Sequence, residues 1–161
     1  MMAHHANEKL LEKFYTCFNQ RDHAGMLACY APEVEFTDPI FKLKGKRAKS
    51  MWHMFCERGE DLTIDVSGIK ADESQGQAHW EAHYTFSATG RPVHNVIEAR
   101  FMFHEGQIVR HHDHFNLWHW TRMALGPTGL FLGWTPFVQN RVRKMANSGL
   151  DKFIAAHPEY Q

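Results

Sequence analysis

The sequence is short of cysteine, of net charge and of long apolar runs, and each shortage removes a class of function. Its three cysteines, Cys17, Cys29 and Cys56, form no CxxC pair and are odd in number. That argues against a disulfide scaffold or a cysteine-zinc module and for buried thiols in a reducing compartment. Eighteen basic residues balance eighteen acidic ones, so no overall field draws the chain to nucleic acid or to an anionic surface. The longest uncharged stretch, Met123 to Asn140, is broken by three glycines and two prolines. A transmembrane helix needs about 20 mostly apolar residues, so none is expected. The start, MMAHHANEKLLEKF, lacks the apolar core of a signal peptide, and a cytoplasmic protein is expected. Histidine, by contrast, is abundant: there are 13, and three surround Asp113 in GQIVRHHDHFNL.

The 161 residues suffice for one domain with a sizeable core. Asn7 is placed to cap a helix carrying Leu10, Leu11, Phe14 and Phe18 on one stripe. Asp22 caps a shorter helix that buries Met26, Leu27 and Tyr30. Val34, Phe36 and Asp38 share one face of a strand that Pro39 ends. A third helix, Lys46 to Glu57, sets Met51, Trp52 and Phe55 on one side. From Leu62 the apolar period becomes two. Leu62, Ile64 and Val66 form one set, Trp80, Ala82, Tyr84 and Phe86 the next, and Asn95, Ile97, Ala99, Phe101 and Phe103 a third. Val109, His111, Asp113, Phe115 and Leu117 complete the series. Short glycine-containing turns between them predict an antiparallel meander. Helices followed by such a sheet give an α+β domain over residues 1–120. Residues 121–161 then add a glycine-punctuated apolar loop and a helix begun by Thr135 and Pro136 that Gly149 is expected to end, with another turn or two over Leu150 to Ala156. This tail is expected to pack on the domain or a dimer, with a membrane surface as the other use.

Strand parity sorts the histidine stretch. His111 and Asp113 point with the apolar partners to the inner, helix-covered face. Arg110, His112 and His114 point outward, beside His83, His94, Glu81, Glu98 and Arg100. A metal needs three or four converging ligands, and His112-x-His114 supplies two. A histidine–carboxylate sheet face is the expected reading there, without a metal. A buried Asp113 needs either a hydrogen-bonded partner or a proton-transfer purpose.

The order of elements and the closing GQIVRHHDHFN resemble the nuclear transport factor 2-like superfamily, in its SnoaL-like and ketosteroid-isomerase-like branch. Gly106, Ile108, Asp113 and Phe115 carry the signature, and YAPEVEFTDPIF resembles the first strand. The resemblance covers about residues 7 to 120, and the tail, with MALGPTG and GWTPF, resembles bacterial members of the same superfamily. It implies a cone: a curved antiparallel sheet wrapped around N-terminal helices, with an apolar pocket open at one end. It also implies a homodimer paired through the outer sheet face. Asp38-Pro39 matches the general-base position of ketosteroid isomerases, but Phe14 and Ala99 stand where their oxyanion donors would be. Asp113 matches the last-strand aspartate of limonene-epoxide hydrolases and SnoaL-type cyclases. The Arg-x-Asp pair of the hydrolases falls on Trp80 and Ala82, or on His79 and Glu81 with a one-residue shift.

The expected site therefore has Asp113, Asp38 and His111 as catalytic groups. Phe14, Phe36, Trp52, Trp80, Tyr84, Asn95, Ile97, Phe101 and Phe115 line the pocket. The expected ligand is a small, mostly apolar molecule. The expected chemistry is cofactor-free isomerisation, cyclisation or hydration by aspartate acid–base catalysis. The alternative is a non-catalytic binding or assembly module of the same fold.

Overall fold

The computed structural model describes residues 4–161. Helix α1 (Ala6–Asn19) buries Leu11, Phe14 and Phe18 on the expected stripe, and Tyr15 joins them. Its cap is His5, whose Nδ1 accepts from Asn7 N. The Asn7 side chain, expected as the cap, instead donates to Asp72 O and Glu73 O and ties α1 to a turn of the sheet. Helix α2 (His23–Ala28) is capped by Asp22, as expected. Tyr30 belongs to the next strand, not to that helix: β1 runs Tyr30–Thr37. Pro32 falls where the pairing register of β1 shifts, a place that tolerates a missing N–H. A short strand β2 (Lys42–Lys44), not anticipated, folds back on β1. Helix α3 spans Lys46–Arg58.

The meander follows as β3 (Thr63–Ala71), β4 (Gln75–Phe86), β5 (Arg91–His104) and β6 (Gln107–His114). The six strands are ordered β2-β1-β6-β5-β4-β3. All neighbours are antiparallel except β1 and β6, which run parallel with Phe36 opposite His111 and Thr37 opposite His112. Burial along β5 alternates strictly, with Val93, Asn95, Ile97, Ala99, Phe101 and Phe103 inside. The inner face of this curved sheet closes on α1 and α3, the α+β arrangement expected from the pattern of elements and the cone that the resemblance implies.

The strand carrying Asp113 ends sooner than its apolar period suggests. Leu117 opens helix α4 (Leu117–Leu125), because Asn116 turns the chain and accepts from His119 N. The tail is helical where a loop was expected. Gly126, at φ +66°, ends α4, and Pro127 starts α5 (Pro127–Leu132). Helix α6 (Pro136–Ala155) is capped by Thr135 as expected, but passes through Gly149 without ending. It docks through Val138, Leu150 and Phe153, through an Arg47–Asp151 ion pair of 2.7 Å, and through Arg143, which donates to Pro39 O at 2.8 Å. Phe131, Trp134 and Phe137 stay exposed. No helix among the described residues is long and apolar enough to cross a membrane.

Gly129 permits the α4–α5 contact, since a Cβ there would lie 1.8 Å from Thr121 O, a backbone atom that cannot swing aside. Ordinary overpacking costs about 1–3 kcal/mol, so Gly129→Ala is expected to cost at least about 3 kcal/mol. In a thermal melt that is a fall of roughly 6 °C or more. An unchanged Tm would mean that α5 does not pack as described.

Candidate active site

A cavity of about 420 Å³ lies between the inner sheet face, α3 and α6. Its walls are mainly apolar: Phe18, Phe36, Trp52, Phe55, Trp80, Ile97 and Phe115, with Val142, Met145 and Ala146 from α6. Its polar side chains include Asp38, Tyr84, Asn95 and Asp113. Both aspartates expected from the sequence thus open onto one cavity. The parallel seam explains how. Thr37 is level with His112, so Asp38, one residue on, is carried to the level of Asp113 on the neighbouring strand.

Asp113 is almost fully buried and ends a directed chain of hydrogen bonds. Trp52 Nε1 donates to the Tyr30 hydroxyl at 2.7 Å. Tyr30 lies 2.7 Å from His111 Nδ1, and His111 Nε2 lies 2.8 Å from Asp113 Oδ1. Trp80 Nε1 donates to the same Oδ1 at 3.4 Å. An indole N–H only donates, so the Tyr30 oxygen accepts it and the Tyr30 proton points to His111 Nδ1. Burial, and then the Asp113 charge, push Tyr30 well above the ordinary tyrosine range, which keeps that proton in place. The His111 hydrogen therefore sits on Nε2 and is donated to Asp113. The reverse tautomer would leave a buried hydroxyl proton without a partner, at about 1–3 kcal/mol. Both bonds to Asp113 land on Oδ1. Oδ2 has none among the described residues, and Asp113 is one of the residues that line the cavity.

His111 itself does not line the cavity, nor do Phe14 and Phe101. The aromatic rings of Phe14, Phe36 and Phe101 close around the imidazole, with centroids 5.7, 5.0 and 4.3 Å away, and Trp52 stacks on it at 5.6 Å. Phe14 and Phe101 thus depart from the expected pocket lining, because α1 fills the closed end of the cone where they meet. The other seven expected lining residues, Phe36, Trp52, Trp80, Tyr84, Asn95, Ile97 and Phe115, do face the cavity. The sequence reading missed Tyr30, whose only signal was its place in the helix-to-strand turn. It also missed Tyr15, whose buried hydroxyl has no partner among the described residues and whose pKa is raised by burial and by Asp113.

Asp38 is part-buried, and its Oδ1 accepts from Ile40 N at 2.7 Å and Phe41 N at 2.6 Å. Loss of water around it raises its pKa to about 7, and the nearby Asp113 adds to the rise, against those two bonds. Tyr84 accepts from Trp120 Nε1 at 2.7 Å, so its own proton is available to the cavity. Burial holds its pKa up at about 12. Asn95 makes no side-chain hydrogen bond among the described residues and presents its amide to the same space. Two carboxyl groups thus share an apolar cavity with two uncommitted hydrogen-bond donors.

His79 and Glu81 lie on the outer face, where His79 bonds Glu98 and Glu81, and Glu81 accepts from His94 at 2.7 Å. Trp80 and Ala82 are the inward pair, as alternation requires. No Arg-x-Asp pair stands at that position.

Residues 11–111 match the SnoaL-like domain family. No curated protein matches the chain. Among solved structures, an NTF2-like protein from Burkholderia pseudomallei superimposes with a TM-score of 0.63 at 19% identity, over 74% of this chain and 97% of that one. A Mycobacterium tuberculosis epoxide hydrolase of the limonene-epoxide-hydrolase-like type gives 0.60 at 16% identity, over 78% and 92%. A proposed polyketide cyclase from Xanthomonas campestris gives 0.59 at 23% identity, over 73% and 96%. At these identities the likeness is one of fold.

Proposed function

The chain belongs to the SnoaL-like family, and from that premise we propose that it catalyses cofactor-free proton transfer on a small, largely apolar carbonyl compound held in the cavity. The observation that carries this reading is that Asp38 and Asp113 line one apolar cavity, with Asp38 poised near pH 7. A group that titrates at the working pH is best placed both to take a proton and to return it. In this reading Asp113 Oδ2 or Asp38 removes a proton from the carbon beside a carbonyl. Tyr84 and Asn95 hold the developing enolate oxygen. His111 and Tyr30 position Asp113 and touch no substrate. The outcome is an isomerisation or a cyclisation. Epoxide hydration is the weaker reading, because Trp80 and Ala82 replace the Arg-x-Asp pair that the related hydrolases use. The cyclase and isomerase names among its structural neighbours agree with the stronger one.

The test is solvent exchange. Enolisable cyclic and aryl ketones in D2O, followed by proton NMR, should lose their α-protons far faster with the protein than in buffer. Ketones that bind without any accelerated exchange would favour the binding-module reading, which the mainly apolar walls would also serve. A second copy completes the proposal: two chains pair through the outer sheet face, where His79, Glu81, Glu98 and His94 form a ladder of complementary groups. Light scattering should then give twice the 18.8 kDa chain mass. A single-chain mass would remove the dimer and leave the cavity chemistry untouched.

A further inference from the structure

A second polar cluster lies along the same stretch of α3 as the cavity wall, on residues that do not line the cavity. His53 and Glu57 sit one turn apart on α3, and His157 reaches them from the chain just after α6. His53 Nε2 is 3.6 Å from one Glu57 oxygen, and His157 Nε2 is 3.7 Å from the other. One ligand atom from each lies within 4.8 Å of the others.

The proton bookkeeping singles this group out. His157 Nδ1 is 2.7 Å from Phe153 O, and a carbonyl only accepts, so Nδ1 carries the hydrogen. The lone pair of a neutral His157 is therefore on Nε2 and faces a carboxylate, an acceptor against an acceptor. His53 Nδ1 is likewise engaged, at 2.8 Å from the Tyr160 hydroxyl, which leaves Nε2 turned to Glu57. Both imidazoles are fixed from behind through Nδ1, as ligating histidines are. Ligand atoms about 2.0–2.2 Å from a tetrahedral ion are roughly 3.3–3.6 Å apart, so the three atoms here, within 4.8 Å of one another, close on an ion by small side-chain movements. Glu57 is exposed and His157 half-buried, so an ion has a path in and a position left for water.

We propose that His53, Glu57 and His157 bind one divalent ion of the zinc class. The ion staples the C-terminal end of α6 to α3, the two helices that wall the cavity. This is independent of the cavity chemistry and goes beyond the two-histidine outer face considered from the sequence.

The full chain is titrated with Co2+ and followed by its visible absorption, and with Zn2+ in a calorimeter at pH 7.5. One ion per chain is expected, with an affinity at least about 10-fold lower in Glu57→Gln and in His157→Ala. The His112→Ala/His114→Ala double variant should bind like wild type. Zinc should raise the Tm of wild type and leave that of Glu57→Gln unmoved. Should His157→Ala fail to fold, Glu57→Gln decides, since its side chain is exposed. The proposal is overturned by a chain that binds no ion, or by binding that survives both Glu57→Gln and His157→Ala. It also falls if the cluster responds to protons alone, with a Tm that follows pH and ignores zinc.

Discussion

Asp113→Asn should lower turnover by about 10²–10⁴-fold, the usual contribution of a positioned acid or base, and leave the fold standing. The asparagine carbonyl still accepts from His111 Nε2 and Trp80 Nε1, so the chain back through Tyr30 to Trp52 keeps every partner. Only the ability of the second oxygen to take a proton is gone. Asp113→Ala differs in kind, because it strands the His111 N–H in an apolar cage and adds about 1–3 kcal/mol of destabilisation. The pair separates chemistry from structure: both variants should lose α-proton exchange, and only the alanine should lose appreciable Tm. An asparagine variant within threefold of wild type would remove Asp113 from the proton path.

Asp38→Asn should change how both rate and stability depend on pH. The asparagine oxygen keeps the turn by accepting from Ile40 N and Phe41 N, but it cannot titrate. The folded pKa of Asp38, about 7, lies above its unfolded value of 3.8, so the folded state binds the proton more tightly. Stability from this group is complete below about pH 4 and is lost as pH rises through 7. Wild type should therefore lose stability relative to Asp38→Asn across that window, by roughly 2–4 kcal/mol for a rise of this size. Above pH 7 the variant should be the more stable of the two. Its pH–rate profile should also lack the limb that Asp38 sets near neutrality. Parallel melting curves for the two proteins from pH 4 to 8 would show Asp38 to be ordinary and solvated.

Much of this was legible because strand faces alternate. Parity alone placed His111 and Asp113 inside and His112 and His114 outside, and it put Trp80 and Ala82, not His79 and Glu81, on the cavity side. Asp22 and Thr135 signalled their helices through side chains that satisfy nearby backbone N–H groups. What escaped depends on contacts distant in the chain. Nothing local tells that Asn7 would be needed by Asp72 and Glu73, or that Tyr30 would stand between Trp52 and His111. Phe14 has the right helix stripe and Phe101 the right strand parity for the cavity, but both lie at the wrong depth, and depth along a cone is written in neither period. The tail was misread because glycine and proline punctuate it. There they delimit short helices, with Gly129 admitting a neighbouring backbone.

The parallel seam between β1 and β6 has a kinetic consequence. The meander can assemble by successive hairpins between sequence neighbours, each closing a short loop. Pairing Phe36 with His111 joins distant parts of the chain and bears the greatest loop-closure entropy in the sheet. Asp38 reaches the level of Asp113 only through that pairing. A refolding chain can thus hold most of its sheet and core while its two carboxylates are still apart, and they come onto one cavity only at the final long-range closure.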